Sequence, residues 1–328
     1  MGRYRNALPQ LTDGLFLTDG GIETTLMFHD GLDLPHFAAF DLLKRADGRE
    51  ALRRYYRSHA SLARDHGVGF VLESATWRAS ADWGKKLGYS KAAMAEVNRQ
   101  AIELLQEIRE EYEGKDTRVV ISGCLGPRGD GYDPAHLMRE EEAERYHAEQ
   151  VRTFAATAAD MVTAITMTNV SEAIGVTRAA QAARMPVVIS FTLETDGRLP
   201  TGDSLMAAIE RVDAATGQGP AYYMINCAHP SHFGGLFCAG EPWVRRLRGL
   251  RANASTKSHA ELDEATELDD GDPVELGRQY RDLMDRLPHL VVLGGCCGTD
   301  QRHIAAIASA CIERPRPSVA PSPLRRAS

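Results

Sequence analysis

Along the chain, short apolar runs alternate with longer stretches in which apolar residues recur every three or four positions. Leu15-Phe16-Leu17-Thr18 is the first run, and Asp19-Gly20-Gly21 follows it, where two glycines permit a tight turn. Between 41 and 67, Leu42, Leu43, Leu52, Tyr55, Tyr56, His59, Leu62 and Ala63 keep the spacing of an amphipathic helix, which Asp47-Gly48 interrupts and Gly67 stops. The alternation continues as strand 69–73, helix 91–111, strand 118–122, helix 139–157, strand 161–166, helix 172–184, strand 187–192, helix 203–215 and strand 222–226. A fainter strand near 249–253 and a helix over 274–286 precede a strong strand, 290–293, and a last helix, 301–312.

Eight such units predict a parallel sheet. At 328 residues, closure into one α/β domain, a (β/α)8 TIM barrel, is favoured over an open doubly wound sheet. No Gly-x-Gly-x-x-Gly follows an early strand to support the open alternative. The barrel is expected over 1–313, and 314–328, rich in Pro, Ser and Arg, is expected to be a flexible tail.

Composition narrows the class. A net charge of -7 and a pI near 5.9 argue against a broad nucleic-acid surface. No apolar run approaches the ~18 residues of a membrane span, and no signal-type apolar core follows the first residues, so a cytoplasmic protein is expected. Six cysteines are too sparse for a secreted disulfide framework, which leaves metal binding or packing.

In a barrel, the loops after the strands share one face, and that face carries the chemistry. The polar residues ending the predicted strands are Asp19, Glu73 with Thr76, Cys124, Thr166 with Thr168, Glu194 with Asp196, Asn226-Cys227, Asn253, and Cys296-Cys297 after Gly294-Gly295. A vicinal cysteine pair alone is often inert packing, and Cys227 alone reads as a small core residue. Strands six and eight lie one strand apart in a closed barrel, however, so Cys227, Cys296 and Cys297 are placed to converge on one Zn2+ with a fourth position open. Cys124 is the competitor, without a second ligand beside it in sequence. Cys238 and Cys311 fall in helical regions and are expected to pack.

With these residues in view, the chain resembles the zinc-dependent homocysteine S-methyltransferases, which include betaine-, S-methylmethionine- and methylfolate-using members. The resemblance rests on Thr18-Asp19-Gly20-Gly21, on 76–80 (Thr-Trp-Arg-Ala-Ser), on 122–127, on Ile225-Asn226-Cys227 and on 294–298 (Gly-Gly-Cys-Cys-Gly), within about 13–313. It implies the same barrel, zinc on Cys227, Cys296 and Cys297, and Asp19 on the amino group of homocysteine. Glu73, Thr76, Thr166, Asn226 and Asn253 complete the candidate substrate contacts. One departure is Ile165, which stands where the family carries an acid that binds the ammonium; losing that charge-assisted bond costs about 1.5–3 kcal/mol. Another is 251–255, only a loose match to the family's Asn-containing loop.

Zinc with three thiolates carries a charge of -1, and a substrate thiolate would make it -2, which suits a sulfur nucleophile and a cationic methyl donor. The partners expected are therefore a small thiol and a small sulfonium or quaternary ammonium donor, with Trp77, Tyr132 or Tyr222 offering a ring face to the cation unless they pack in the core. A folate donor is not expected, because by family analogy it comes with a cobalamin module or a further domain. Two alternatives stand: the same chemistry on another thiol or selenol, to which Ile165 points, and a non-catalytic zinc or redox protein in which Cys296-Cys297 oxidise.

Overall fold

The computed structural model describes residues 2–132, 137–237 and 241–312. Cys238 and the expected tail lie outside the described residues. Eight strands, β1 (Phe16–Leu17), β2 (Gly69–Glu73), β3 (Val119–Leu125), β4 (Met161–Met167), β5 (Val187–Thr192), β6 (Tyr222–Asn226), β7 (Leu247–Ala252) and β8 (Val292–Gly295), pair in parallel and in chain order. The sheet closes through Phe16 opposite Val292 and Leu17 opposite Leu293. At least one helix follows each strand, among them α1 (Ala46–Asp65), α2 (Lys91–Tyr112), α3 (Glu140–Ala155), α4 (Val170–Ala182), α5 (Leu205–Thr216), α6 (Pro230–Phe233), α7 (Pro273–Arg286) and α8 (Gln301–Ile312). The chain is the closed single-domain barrel that its alternation predicts.

Period-two alternation explains why this barrel has a site at one end. Outward residues such as Phe70, Leu72, Ile121, Ile189, Ile225 and Leu293 pack under the helices in the main core. Inward residues change character along each strand. At the N-terminal end Phe16, Val71, Val120, Met161, Val188, Tyr222 and Met224 form an apolar plug. Two residues further along the same strands come Glu73, Ser122, Thr163, Ser190 and Asn226, all buried. Ser122 and Thr163 share a 2.8 Å hydroxyl hydrogen bond, and Ser190 donates to Asn226 Oδ1 at 2.6 Å. Apolar filling therefore ends halfway up, and the upper half is polar.

Local chemistry sets the helix boundaries. Ser90, Asn169, Ser204 and Asp272 each cap a helix by accepting backbone N–H bonds through their side chains. Three expectations change. The break in the first helical stretch falls at Arg45, which is extended between a 3-10 turn at Ala39–Lys44 and α1, while Gly48 lies inside α1 against the Leu42 carbonyl. After β6 the helix is only four residues long, followed by 3-10 turns at Gly234–Leu236 and Pro242–Arg246. The last strand runs two residues further than its apolar run, through Gly294 and Gly295, where the chain after β1 passes so close that a Cβ on Gly294 would strike the Thr18 methyl.

Candidate metal centre

The C-terminal end of β6 and the loop after β8 bring three sulfurs together. The ligand atoms of Cys227, Cys296 and Cys297 all lie within 4.8 Å of one another. Cys227 Sγ touches Cys296 Sγ directly and stands 3.9 Å from Cys297 Sγ.

Asn226 holds this cluster with both ends of its amide. Nδ2 donates to Cys227 Sγ at 3.1 Å and to Thr166 Oγ1 at 3.0 Å, and reaches Cys296 Sγ at 3.8 Å. Oδ1 accepts from the Thr166 backbone N–H at 3.0 Å. Thr166 and Cys227 are both non-glycine residues at positive φ, 62° and 52°, and a β-bulge between Ala164 and Met167 accompanies the first of them. Such conformations persist only where the surroundings enforce them; here Asn226 ties the two residues to each other. His259 donates to the Cys227 carbonyl at 2.5 Å and lies 3.2 Å from Glu194, while the Tyr132 ring packs on His259 at 4.2 Å and its hydroxyl sits 3.4 Å from Cys297 Sγ. The cluster is therefore backed by a second layer of polar contacts, as metal ligands commonly are.

A cavity opens over the sulfurs. Its walls include Asp19, Glu23, Glu73, Trp77, Tyr132, Ile165, Thr166 and Arg251, with Cys124 also at its edge. The β1 turn is joined to the cysteine loop: Gly21 N–H donates to the Thr299 carbonyl at 3.0 Å, and Gly298 N–H donates to Thr24 Oγ1 at 3.0 Å. A Cβ on Gly21 would lie 2.6 Å from the Cys296 carbonyl oxygen, so close approach of two loops demands glycine there.

Among the expected residues, then, Asp19, Glu73 and Thr166 line the cavity with the three cysteines. Asn226 is fully buried behind the sulfurs. Thr76 is buried and donates to the Cys124 carbonyl at 2.7 Å, and Asn253 is buried with its side-chain oxygen unpartnered; neither lines the cavity. Asp196 is exposed in a turn, accepting from the Arg198 N–H, and Thr168 is buried beside Asn169. Trp77 and Tyr132 reach the cavity, whereas Tyr222 belongs to the apolar plug, within reach of Gln10 at 3.4 Å. Cys311 packs in the core as expected.

Sequence reasoning missed Arg251, His259 and Glu23. Arg251 rises from β7 into the buried interior, where it forms a 2.8 Å ion pair with Asp19 and donates to Thr18 Oγ1, Gly20 O and Gly295 O at 3.0, 3.3 and 3.1 Å. Its signal was a second arginine, after Arg248, in the short strand Leu247–Ala252, and a cation buried there demands a partner.

A family model described as homocysteine S-methyltransferase matches residues 16–311. The chain belongs to that family. It is a methyltransferase by this membership, with homocysteine as the family's acceptor. Homocysteine S-methyltransferase 4 of Zea mays is 23% identical over 326 residues, covering 90% of this chain and 89% of that protein. Among solved structures, the homocysteine methyltransferase MmuM of Escherichia coli superposes with TM-scores of 0.71 in its oxidized form and 0.69 in its metallated form. The two are 19% and 18% identical, and each match covers 91% of this chain and 96% of the other. Like those structures, this member is a closed barrel, and its described residues include no helix long and apolar enough to cross a membrane.

The electrostatics of this family member's cavity are unbalanced. Desolvation pushes the Glu73 carboxyl up to about 7, and the same effect, aided by nearby Asp19, brings Glu23 to about 7. Arg251 is held charged, because Asp19 and Glu73 outweigh the desolvation that disfavours its cation. Burial also raises the Cys124 thiol, which keeps it protonated and inert. A pH signature follows. Glu73 binds its proton more tightly in the folded chain than in the unfolded one, so its contribution is intact below pH 4.5 and lost as pH climbs through about 7. Glu73→Gln is expected to be more stable than the parent at pH 8 by up to about 3 kcal/mol, with the difference gone near pH 4. Urea unfolding across that range reads it; a variant less stable at pH 8 contradicts the assignment.

Proposed function

We propose that the protein is a zinc-dependent S-methyltransferase that moves a methyl group from a small cationic donor, a sulfonium of the S-methylmethionine type or an ammonium of the betaine type, to homocysteine, giving methionine. The observation that carries this reading is the convergence of three cysteine sulfurs at a cavity walled by carboxylates. Three thiolates suit zinc as a donor set, and Cys227, Cys296 and Cys297 would hold it. Zinc bound there would keep the acceptor's sulfur ionised at neutral pH while leaving it nucleophilic.

The chain's own residues do the remaining work. The Asn226 amide orients the sulfurs and spreads their negative charge through N–H···S contacts. Thr166 and Glu73 are substrate contacts on the cavity wall, while Asn226, Thr76 and Asn253 act from behind it. Asp19, locked to Arg251, fixes the floor. Trp77, with Arg78 at 4.1 Å from its ring centroid, and Tyr132, packed on His259, are the two aromatic rings on the cavity wall that a donor cation would meet. In the reaction the donor's methyl–sulfur or methyl–nitrogen bond breaks as the new sulfur–methyl bond forms, and the donor leaves neutral. Glu23 and Glu73, each raised to about 7 and so about half ionised at neutral pH, favour such a cation, and alignment of methyl with sulfur supplies much of the rate. A reducing, cytoplasmic setting keeps the thiols available.

The decisive experiment offers S-methylmethionine, betaine and methylfolate separately with homocysteine and reads methionine by mass. Product from one cationic donor is expected; transfer from the folate alone, or full activity in a preparation free of zinc, overturns the reading.

Ile165 on the cavity wall sustains a second reading, in which the same chemistry acts on another thiol or selenol.

A further inference from the structure

Three carboxylates face the cavity, and they differ in what already engages them. Asp19 is occupied. Its Oδ1 takes the Arg251 ion pair at 2.8 Å and a 3.0 Å bond from Thr18, and its Oδ2 takes a 2.9 Å bond from the Tyr55 hydroxyl. An acid so neutralised has little field left for a ligand cation. Glu73 lies deeper, 5% exposed, with Oε2 sealed off and the Ser122 and Thr163 hydroxyls beside its carboxyl.

Glu23 is different. It sits on the short helical turn Ile22–Thr24 after β1, partly exposed to the cavity, and no cation or hydrogen-bond donor among the described side chains meets its carboxylate. Its position is nonetheless fixed, since neighbouring Thr24 accepts from Gly298 N–H, one residue from Cys297. Gly21, at the start of the same turn, is packed on the Cys296 carbonyl. A carboxylate engaged by its own backbone N–H, but by no side chain, therefore stands on the wall of the cavity that the sulfurs line. Ile165, across the same cavity, offers nothing to a cation.

Resting on the acceptor assignment above, we propose that Glu23 is the residue that selects the α-ammonium of the acceptor, and that Asp19 is not. Homocysteine anchored by its sulfur carries its ammonium a short carbon chain away, and Glu23 meets it with a charge-assisted hydrogen bond. A thiol without the amino group forgoes that bond. Burial adds to the effect, because the carboxylate gains more from a cation where water is scarce.

The test measures binding of L-homocysteine and of 4-mercaptobutanoate, the same thiol with hydrogen in place of the amino group, to the zinc-loaded full chain by calorimetry. The parent is expected to prefer homocysteine by about 10-fold or more, the usual worth of a charge-assisted bond. In Glu23→Gln and Glu23→Ala the preference should fall to within about 3-fold of unity, through weaker homocysteine binding alone. A parent with no preference, or variants that keep it, overturns the proposal. Methyl transfer is read in the same samples: a Glu23-dependent preference in a protein that methylates neither thiol sinks the activity reading while upholding this one.

Discussion

A Cys296→Ser variant is expected to lose its zinc, from about one ion per chain to a trace by elemental analysis, together with methyl transfer, by on the order of 1000-fold or more in kcat/KM. The expectation follows from geometry rather than from cysteine content. Cys296 touches Cys227, lies within reach of the Asn226 amide, and leads directly to Cys297, so its loss removes one of the three converging sulfurs. Serine there offers a neutral hydroxyl in place of a soft thiolate, and two thiolates alone hold zinc weakly. Cys124→Ala is the control. That residue also touches the cavity, but it is buried, protonated and outside the three-sulfur group, so the variant should keep its metal. Full activity in metal-free Cys296→Ser would remove zinc from the mechanism. Thiol titration adds a second check: a redox protein would lose two thiols reversibly, whereas a metal site shows thiols protected until a chelator is added.

Much of this was legible in the chain because the barrel converts sequence periodicity into position. Strands 69–73, 187–192 and 222–226 appear where their apolar runs lie, and strand ends identify the face that holds Cys227, Cys296 and Cys297. What the sequence hid were partnerships created by closure. Asp19 and Arg251 are far apart along the chain and meet only because β1, β8 and β7 are neighbours in the round, so Asp19 read as an open carboxylate. Thr76 read as a rim hydroxyl, but the loop after β2 folds inward and spends that hydroxyl on the Cys124 carbonyl. Tyr222 was a candidate ring for a cation until the inward side of β6 placed it at the opposite end. Glu23 escaped notice for the converse reason: it lies past the tight β1 turn, on a helical turn whose direction no local periodicity encodes.

Arg251→Met should be the most destabilising single change near the site, by about 3–5 kcal/mol in urea unfolding at pH 7. The methionine fills most of the volume, so the cost arises from charge: Asp19, 4% exposed, loses its only cationic partner among the described residues while the Tyr55 and Thr18 hydroxyls still hold it in place. The Gly295 and Gly20 carbonyls lose donors as well, which loosens the strand end that leads into Cys296. Zinc affinity should therefore fall along with stability, though no sulfur has been touched. Asp19→Asn in the same chain removes the stranded charge, and the double variant is expected to recover at least about 1.5 kcal/mol of the loss, the lower end of what a charged hydrogen bond contributes. Equal losses in the single and double variants would mean that Arg251 acts through its backbone-carbonyl contacts alone, and that Asp19 is not the buried anion its surroundings make it.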